Sequence, residues 1–413
     1  MKILYLHQYF NTPNMSGGTR SYEMARRLVN KGHEVHLITS WRANDKGSDW
    51  IETKEDGIHV HWIPVSYSNH MDYGTRIKAF LKFAVKSAIK ARSIKADIIF
   101  ATSTPLTIAF PAVYSSKRQK IPLVFEVRDL WPELPIAIGA IKNPILKKMS
   151  FWLEKWAYNN SEAVVALSPG MRAGVVKTGY PSNRVATIPN SCDNDFFKSG
   201  DMAITFRKER PWLGERPLLI YGGTFGKING VTYLVEIAKR LYEISPEIRI
   251  LLVGDGIERE VVQNAAHEAG ILNKNIFIEN AINKSKIPAL FAAANISSSL
   301  FIDLPEMQAN SANKFFDSLA SGTPILLNYG GWQAKLVEEN ECGIVAWNKS
   351  THEVASLVAE KMYDIQWLKV AGENARKLAE YFDRDKLASQ LEQVLVLSSQ
   401  KQGHKVSVVQ SVV

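Results

Sequence analysis

The stretch Ala312-Asn313-Lys314-Phe315-Phe316-Asp317-Ser318-Leu319-Ala320-Ser321-Gly322-Thr323-Pro324 decides the fold. Phe315, Phe316, Leu319 and Ala320 recur at helical spacing behind a small, polar lead-in, and Gly322-Thr323-Pro324 stops the helix. An apolar run at 324–330 follows as a buried strand, and a β-rich run at 296–301 precedes the lead-in. Strand, helix and strand in that order make a unit whose strands lie parallel. The helix opens at about Asn313, on the side where strand ends face a ligand crevice. Its unpaired amides and positive dipole end suit a diphosphate. Asp317, one turn in, shares the face of Asn313 and Lys314. The plainer reading is an ordinary capping lead-in with a solvated first-turn aspartate.

The same alternation extends in both directions. Strands are predicted near 2–7, 34–40, 58–65, 96–103, 122–129, 163–168 and 185–190, and again at 217–224, 248–255, 275–279, 296–301, 324–330 and 343–348. Apolar strands alternating with helical patterns predict an α/β fold of two tandem Rossmann-like doubly wound domains facing a central cleft. A chain of 413 residues exceeds what one core organises. The expected division is 1–200 for a first domain and 201–385 for a second. A polar linker lies at 191–216 and helices at 353–381 and 386–399. The last of these, within 386–400, is expected to pack back on the first domain, and 401–413 reads as a frayed tail.

Composition narrows the function classes. The net charge is +9. Residues 1–200 carry 27 Lys/Arg against 16 Asp/Glu (+11) and the remainder 23 against 25 (−2), so the surplus sits in the first half. A negatively charged partner on that half is implied. Residues 76–95 hold Arg76, Lys78, Lys82, Lys86, Lys90, Arg92 and Lys95 and no acid. Lys78, Lys82, Lys86 and Lys90 form a stripe, with Ile77, Phe80, Leu81, Ala84 and Ala88 expected on the opposite side. This is the pattern of a basic amphipathic helix on an anionic membrane; a Lys-rich helix covering a core is the alternative. Lys147 and Lys148 before Phe151, Trp152 and Trp156 offer a second contact. No recognition helix, RNP-like aromatic pair or zinc module accompanies the charge, which argues against nucleic acid. The N-terminus is too short an apolar run for a signal peptide, and no stretch would span a bilayer. Cys192 and Cys342 alone supply neither a disulfide framework nor a metal site. The expected location is cytoplasmic, peripheral on the inner face of the cytoplasmic membrane.

Four further motifs carry chemistry. In Gly222-Gly223-Thr224-Phe225-Gly226-Lys227-Ile228-Asn229-Gly230, glycines after an apolar strand let the backbone approach a phosphate, and Lys227 is the loop's one cation. Gly254 follows another strand, in Val253-Gly254-Asp255-Gly256. Gly17 and Gly18 sit between the first strand and a helix, without the spacing of a dinucleotide fold. Phe125-Glu126-Val127-Arg128-Asp129-Leu130-Trp131-Pro132-Glu133 runs from a strand into a charged loop. Arg128 and Asp129 are site candidates there, against the rival of a structural salt bridge. Asp193-Asn194-Asp195 imitates a D-x-D metal motif but lacks a second cluster of oxygen ligands, and no histidine pair has metal-ligand spacing on a helix. Neither metal nor cofactor is expected.

These strings, in this order, together with Tyr329-Gly330-Gly331-Trp332, resemble glycosyltransferase family 4 of the GT-B fold, and within it the bacterial L-fucosamine-transferase-like branch. The resemblance implies a retaining glycosyltransferase moving an N-acetylated deoxyhexosamine or hexosamine. The donor would be a UDP-sugar and the acceptor a polyprenyl-diphosphate-linked saccharide, in O-antigen or capsule assembly. It implies that Asp317 binds the ribose hydroxyls, that Gly17, Gly18, Gly222, Gly223, Thr224, Gly254, Asn313 and Lys314 line the donor site, and that Lys227, Arg128, Asp129 and Glu306 serve catalysis. The chain departs from the family in three places: Thr224 and Asn229 stand in the glycine loop where an Arg and a Lys are usual, Arg128 stands where a donor-contacting His is usual, and the first acid is missing. Ala309 stands where the first of two glutamates is usual, leaving Asp303 or Glu306 as the substitute. A UDP-N-acetylglucosamine 2-epimerase of the same fold, or a non-catalytic subunit of a polysaccharide assembly complex, are the alternatives.

Overall fold

The computed structural model describes residues 1–15, 17–43, 47, 49–67, 71–197 and 202–409. The strands are β1 (Lys2–Leu6), β2 (Glu34–Trp41), β3 (Ile51–Glu55), β4 (Ile58–Pro64), β5 (Ile98–Thr102), β6 (Leu123–Val127), β7 (Ala163–Ala166), β8 (Val185–Thr187), β9 (Leu218–Gly222), β10 (Arg249–Val253), β11 (Ile276–Glu279), β12 (Ile296–Ser299), β13 (Ile325–Leu327) and β14 (Gly343–Val345). The helices of the first half are α1 (Arg20–Asn30), α2 (Tyr73–Ser93), α3 (Ala109–Gln119), α4 (Glu133–Ala137), α5 (Pro144–Asn159) and α6 (Pro169–Lys177). Those that follow are α7 (Met202–Lys208), α8 (Thr232–Ile244), α9 (Arg259–Glu268), α10 (Ile287–Ala293), α11 (Asn313–Ser321), α12 (Trp332–Glu339), α13 (Thr351–Tyr363), α14 (Ile365–Tyr381) and α15 (Arg384–Ser399).

Two compact units result. The first comprises Met1–Asn190, Ala309–Ser311 and Arg384–Val413, and the second Ser191–Gln308 and Ala312–Asp383. The first unit's sheet runs β3-β4-β2-β1-β5-β6-β7-β8. Its pairings are parallel except β3 on β4. Strands buried on both faces need apolar residues at every position. In β1, Leu4 and Leu6 enter one core with Phe83 and Ala112, while Ile3 and Tyr5 enter the other with Leu28 and Leu391. The second sheet, β11-β10-β9-β12-β13-β14, is parallel throughout. In each sheet the strand order reverses once, between β1 and β5 and between β9 and β12. Crevices at such reversals, outside the carboxyl strand ends, are where open α/β sheets bind ligands.

Several boundaries move relative to expectation. The break falls at Asn190 and not at 200, and the anticipated linker at 191–216 belongs to the second unit, where the Cys192 amide donates to Phe382 O at 2.8 Å. Asp364 divides the long helix at 353–381 by capping the Trp367 amide with its side chain. Part of the expected frayed tail is packed, with Val406 and Val409 buried in the core that also holds Leu387, Leu391 and Leu395 of α15. Strand β3 was not anticipated. Its sequence, Ile51-Glu52-Thr53-Lys54-Glu55, is mostly exposed and charged, as an unprotected sheet edge requires.

Candidate functional site

In the second unit the chemistry gathers at the β9/β12 reversal. Gly223 follows β9 at φ +152°, and a Cβ there would lie 2.5 Å from Lys314 Cε. The Gly254 turn after β10 stacks on it: a Cβ at Gly254 would meet Gly223 O at 1.8 Å, and the Phe225 amide donates to Asp255 O at 2.9 Å. Both turns need glycine because backbone approaches backbone without room for a methyl. The far end of the loop is tied to the strand after the reversal by the Ile302 amide donating to Ile228 O, 2.9 Å. Asn328 clamps that same segment, accepting from the Phe301 amide and donating to Phe301 O, both at 2.9 Å.

Helix α11 begins beside this loop. Ala312 at its N-cap offers no side-chain hydrogen bond, and while the Phe315 amide donates to Ala312 O at 3.2 Å, the first two amides of the helix, of Asn313 and Lys314, keep their capacity for an anion among the described residues. Lys314 reaches back over the Tyr221 ring, its Nζ 5.1 Å from the centroid. Burial pushes the ammonium down to about 8, with Asp317 pulling the other way. Asn313 is exposed and Asp317 half-buried. Upstream, Glu306 Oε2 is buried and has no hydrogen-bond partner among the described residues, whereas Asp303 is exposed. Thr224 and Lys227 are exposed, Lys227 on one 3-10 turn. The structure thus brings Gly222, Gly223, Gly254, Lys314 and Asp317 together. What the sequence did not show is that Lys314 reaches from its helix to the glycine loop.

In the first unit the residues after β1, β2, β5 and β6 converge. Gly17, at φ +122°, lies against Asn11, whose Nδ2 donates to Gly18 O at 3.2 Å and whose Oδ1 accepts from Arg42. The Arg128 amide donates to Ser103 Oγ (3.1 Å), its Nη1 lies 3.3 Å from His7 Nε2, and Thr104 Oγ1 donates to Asp129 Oδ2 (2.9 Å). Among the described residues neither Arg128 nor Asp129 has an ion-pair partner, so the structural salt bridge proposed for them does not form. The salt bridge of that motif is made by Glu126 in β6, fully buried, with Arg20 of α1 at 2.8 Å. Burial works against the Glu126 charge, yet Arg20, Arg128 and a bond from Thr102 hold the carboxyl below its ordinary value. The Asp193-Asn194-Asp195 string is a tie, with Asn194 Nδ2 donating to Asp383 Oδ2 at 3.2 Å. A grouping that helical spacing could not show lies at one side of the first sheet. Glu34, His36 and His59 place ligand atoms within 4.8 Å of one another, but Glu34 Oε1 is already taken by Lys2 and His36, both at 2.8 Å.

The α2 surface differs from expectation. Ala79, Phe83, Ala84, Ser87 and Ala91 form its buried face, while Ile77, Leu81, Val85 and Ile89 point outward beside Lys78, Lys82 and Lys86. Lys90 is withdrawn onto Glu52 at 2.5 Å. Ile77, Leu81, Val85 and Ile89 repeat at the lysines' own four-residue spacing one position earlier, about 100° around the helix, so they share the lysines' slow drift and lie on the adjacent flank and not opposite. Helix α3 packs against α2 and α5. It exposes Phe110 and Tyr114, and α5 exposes Ile145, Leu146, Met149, Phe151 and Trp152. Among the described residues no helix is long and apolar enough to cross a membrane.

Comparison with known proteins agrees with this geometry. Residues 17–191 match the model of the glycosyl transferase 4-like domain, and residues 203–378 that of glycosyl transferases group 1. The GDP-mannose-dependent alpha-(1-6)-phosphatidylinositol monomannoside mannosyltransferase of Mycobacterium tuberculosis is 22% identical over 364 residues, 85% of this chain and 87% of that one. The N-acetyl-alpha-D-glucosaminyl L-malate synthase of Bacillus anthracis is 23% identical over 402 residues, covering 95% and 97%. HepE of Anabaena, solved with UDP and glucose, superposes with a TM-score of 0.71 at 17% identity over 96% of this chain and 99% of that one. With both family models spanning most of its length and two parallel α/β units behind them, the chain belongs to glycosyltransferase family 4 and has the GT-B fold.

Proposed function

We propose that this glycosyltransferase moves a sugar, an N-acetylated deoxyhexosamine or hexosamine, from a UDP-sugar to a polyprenyl-diphosphate-linked saccharide, with retention of configuration. The setting is bacterial surface polysaccharide assembly, O-antigen or capsule. The observation that carries the donor half is the uncapped start of α11 facing the Gly223 turn with Lys314 between them. Amide dipoles and a preplaced ammonium meet there at a crevice, which is where a diphosphate gains most. The HepE structure, holding UDP and glucose, supports a uridine donor. The phosphatidylinositol monomannoside in the mannosyltransferase's name supports a lipid acceptor, and the malate synthase's name an N-acetylated hexosamine.

The roles follow from the chemistry. Asp317 accepts from the ribose hydroxyls, and Glu306 Oε2, buried without a hydrogen-bond partner among the described residues, accepts from a hydroxyl of the donor sugar in place of the missing first acid. Lys314 and Lys227 meet the charge that grows on the departing diphosphate. The anomeric carbon–oxygen bond breaks with its electron pair leaving on the phosphate, the acceptor hydroxyl oxygen bonds the same face of that carbon, and its proton passes to the leaving phosphate. The protein's share is orientation and electrostatic stabilisation. No metal or cofactor is needed for these steps.

The outer faces of α2, α3 and α5, apolar side chains interspersed with lysines, form the surface we assign to an anionic membrane. It favours transfer at the cytoplasmic face of the membrane over a soluble 2-epimerase, whose small substrate needs no such face. A non-catalytic assembly subunit would keep the surface and lose the donor site. The test is transfer from a set of UDP- and GDP-sugars to a short polyprenyl-diphosphate-linked N-acetylhexosamine. Mass spectrometry reads the added sugar and proton NMR its anomeric configuration. Transfer from UDP-sugars with retention is expected. GDP-sugar preference, inversion, or a monosaccharide epimer as product would overturn the reading.

A further inference from the structure

The first unit holds two guanidiniums that make no ion pair among the described residues; Glu126, the acid whose charge Arg128 supports, is itself paired with Arg20. Arg42 follows β2, Arg128 follows β6, and His7, next to Arg128, follows β1, so all three stand at the carboxyl edge of the sheet around the β1/β5 reversal. Both arginines are half-buried. The contacts of Arg42 are Asn11 Oδ1 through its side chain and the Tyr67 amide at its carbonyl, and those of Arg128 are Ser103 Oγ at its amide and His7 Nε2. None of these is a carboxylate, and among the described residues neither arginine has an acid within 4 Å.

His7 sharpens the point. It is 3% exposed, and a guanidinium only donates, so Nε2 accepts from Arg128 and the hydrogen sits on Nδ1. That Nδ1 is buried with no partner among the described residues. Burial, then Arg128, then Arg42, keep the ring neutral, which shows that both guanidinium charges are felt at the imidazole. Burial likewise works against the Arg42 charge. The unfilled capacity here is therefore all donor and all positive. Buried or half-buried charges are ordinarily paired, and arginines in a fork geometry pair best with phosphate or carboxylate oxygens.

We propose that Arg42, Arg128 and His7 form an anion site that grips a phosphate or diphosphate group of the acceptor, separate from the donor site on the second unit. This rests on the reading of the chain as a transferase to a diphosphate-linked acceptor, and it makes Arg128 an acceptor anchor. Asn11 positions the site, holding Arg42 with one end of its amide and the Gly17-Gly18 turn with the other. A diphosphate anchor at a sheet reversal would fix the acceptor lipid's headgroup, leaving its sugar hydroxyl to be presented.

The experiment is calorimetric titration of the full chain with inorganic pyrophosphate and, in a second arm, inorganic phosphate, each with and without saturating UDP. Pyrophosphate should bind with UDP already present, and Arg42→Gln or Arg128→Gln should weaken that binding about ten- to a hundredfold while leaving UDP affinity and thermal stability within about twofold and a degree or two. Arg42→Lys, which keeps the charge and loses the fork, should recover part of the loss and guards against misfolding of the Gln variants. Complete displacement of pyrophosphate by UDP would show the anion to be the donor's own diphosphate and overturn the proposal, as would equal binding by wild type and the Gln variants. Failure of wild type to bind UDP at all would instead count against the glycosyl-donor reading.

Discussion

Replacing Lys314 by Met should change how UDP binding depends on pH. In the free protein, burial pushes the Lys314 ammonium down to about 8 from an ordinary 10.5. A diphosphate beside Nζ restores the preference for charge, so binding takes up a proton wherever the free lysine is neutral. The sign follows. Below pH 8 the lysine is charged in both states and contributes no slope. Above it, affinity falls by up to tenfold per pH unit until the bound-state value is reached, or roughly fivefold between pH 8 and 9. The nucleotide's phosphate adds no slope there, since a terminal phosphate with a second ionisation near 6 is already fully charged, and the window stops short of the ionisation of the uracil N3–H. Lys314→Met should bind UDP about ten- to a hundredfold more weakly at pH 7.5, the loss of one charge-assisted contact. It should then stay flat to pH 9. Calorimetry in two buffers of different ionisation enthalpy reads both affinity and proton uptake. A wild type whose UDP affinity does not change across this window, or a variant that keeps the same slope, would refute the placement of Lys314 on the diphosphate.

Other perturbations test the remaining parts. Asp317→Ala should weaken UDP at least tenfold and weaken 2′,3′-dideoxy-UDP less, by competition binding, if the carboxylate accepts from the ribose hydroxyls as proposed. Gly223→Ala should lower UDP affinity while the melting temperature moves modestly, since the new methyl displaces Lys314 Cε, the end of a flexible chain, though φ +152° adds strain. Glu154 is 1% exposed and, by burial and then by Glu133, is raised to about 8 from 4.5. Wild-type stability should therefore fall as pH rises from 4.5 to 8, and Glu154→Gln, which keeps a partner for Tyr158, should gain about 2 kcal/mol over wild type at pH 8 and little at pH 5 by denaturant titration. Replacing Lys78, Lys82 and Lys86 by Gln should cut co-sedimentation with anionic vesicles by up to a hundredfold at low salt, about 1 kcal/mol per lysine, with UDP affinity unchanged; equal sedimentation would return α2 to a mere core cover.

What was legible in the sequence was periodic or punctuated. Continuous apolar strands such as Ile98-Ile99-Phe100-Ala101 announced a doubly covered parallel sheet, and Gly322-Thr323-Pro324 announced the end of α11, because each reflects a local rule. Edge strand β3 was invisible because its charged residues obey the opposite requirement. The packing of Val406 and Val409 could not be read because it depends on a core built by residues hundreds of positions earlier. The site divides in the same way. Glycine turns show themselves through composition, whereas His7 and Arg42 carry no motif and become site residues only when β1, β2 and β6 bring their carboxyl ends together. Lys314 was read on its helix, but its reach to Gly223 is a tertiary fact. On α2, Ile77 and Leu81 were expected opposite the drifting lysine stripe, but each stands one residue, about 100° of turn, from a lysine and lies on the neighbouring flank.

The central claim is that the second unit holds a UDP-sugar poised for transfer. Incubating the full chain with a panel of UDP- and GDP-sugars and no acceptor, then following nucleotide release and sugar identity by liquid chromatography with mass spectrometry, tests it most directly. Slow release of UDP from one UDP-N-acetylhexosamine, with the free sugar unchanged in stereochemistry and the release reduced in Lys314→Met and Asp317→Ala, is the predicted result. An epimerised sugar, or no release from and no binding of any nucleotide sugar, would contradict it.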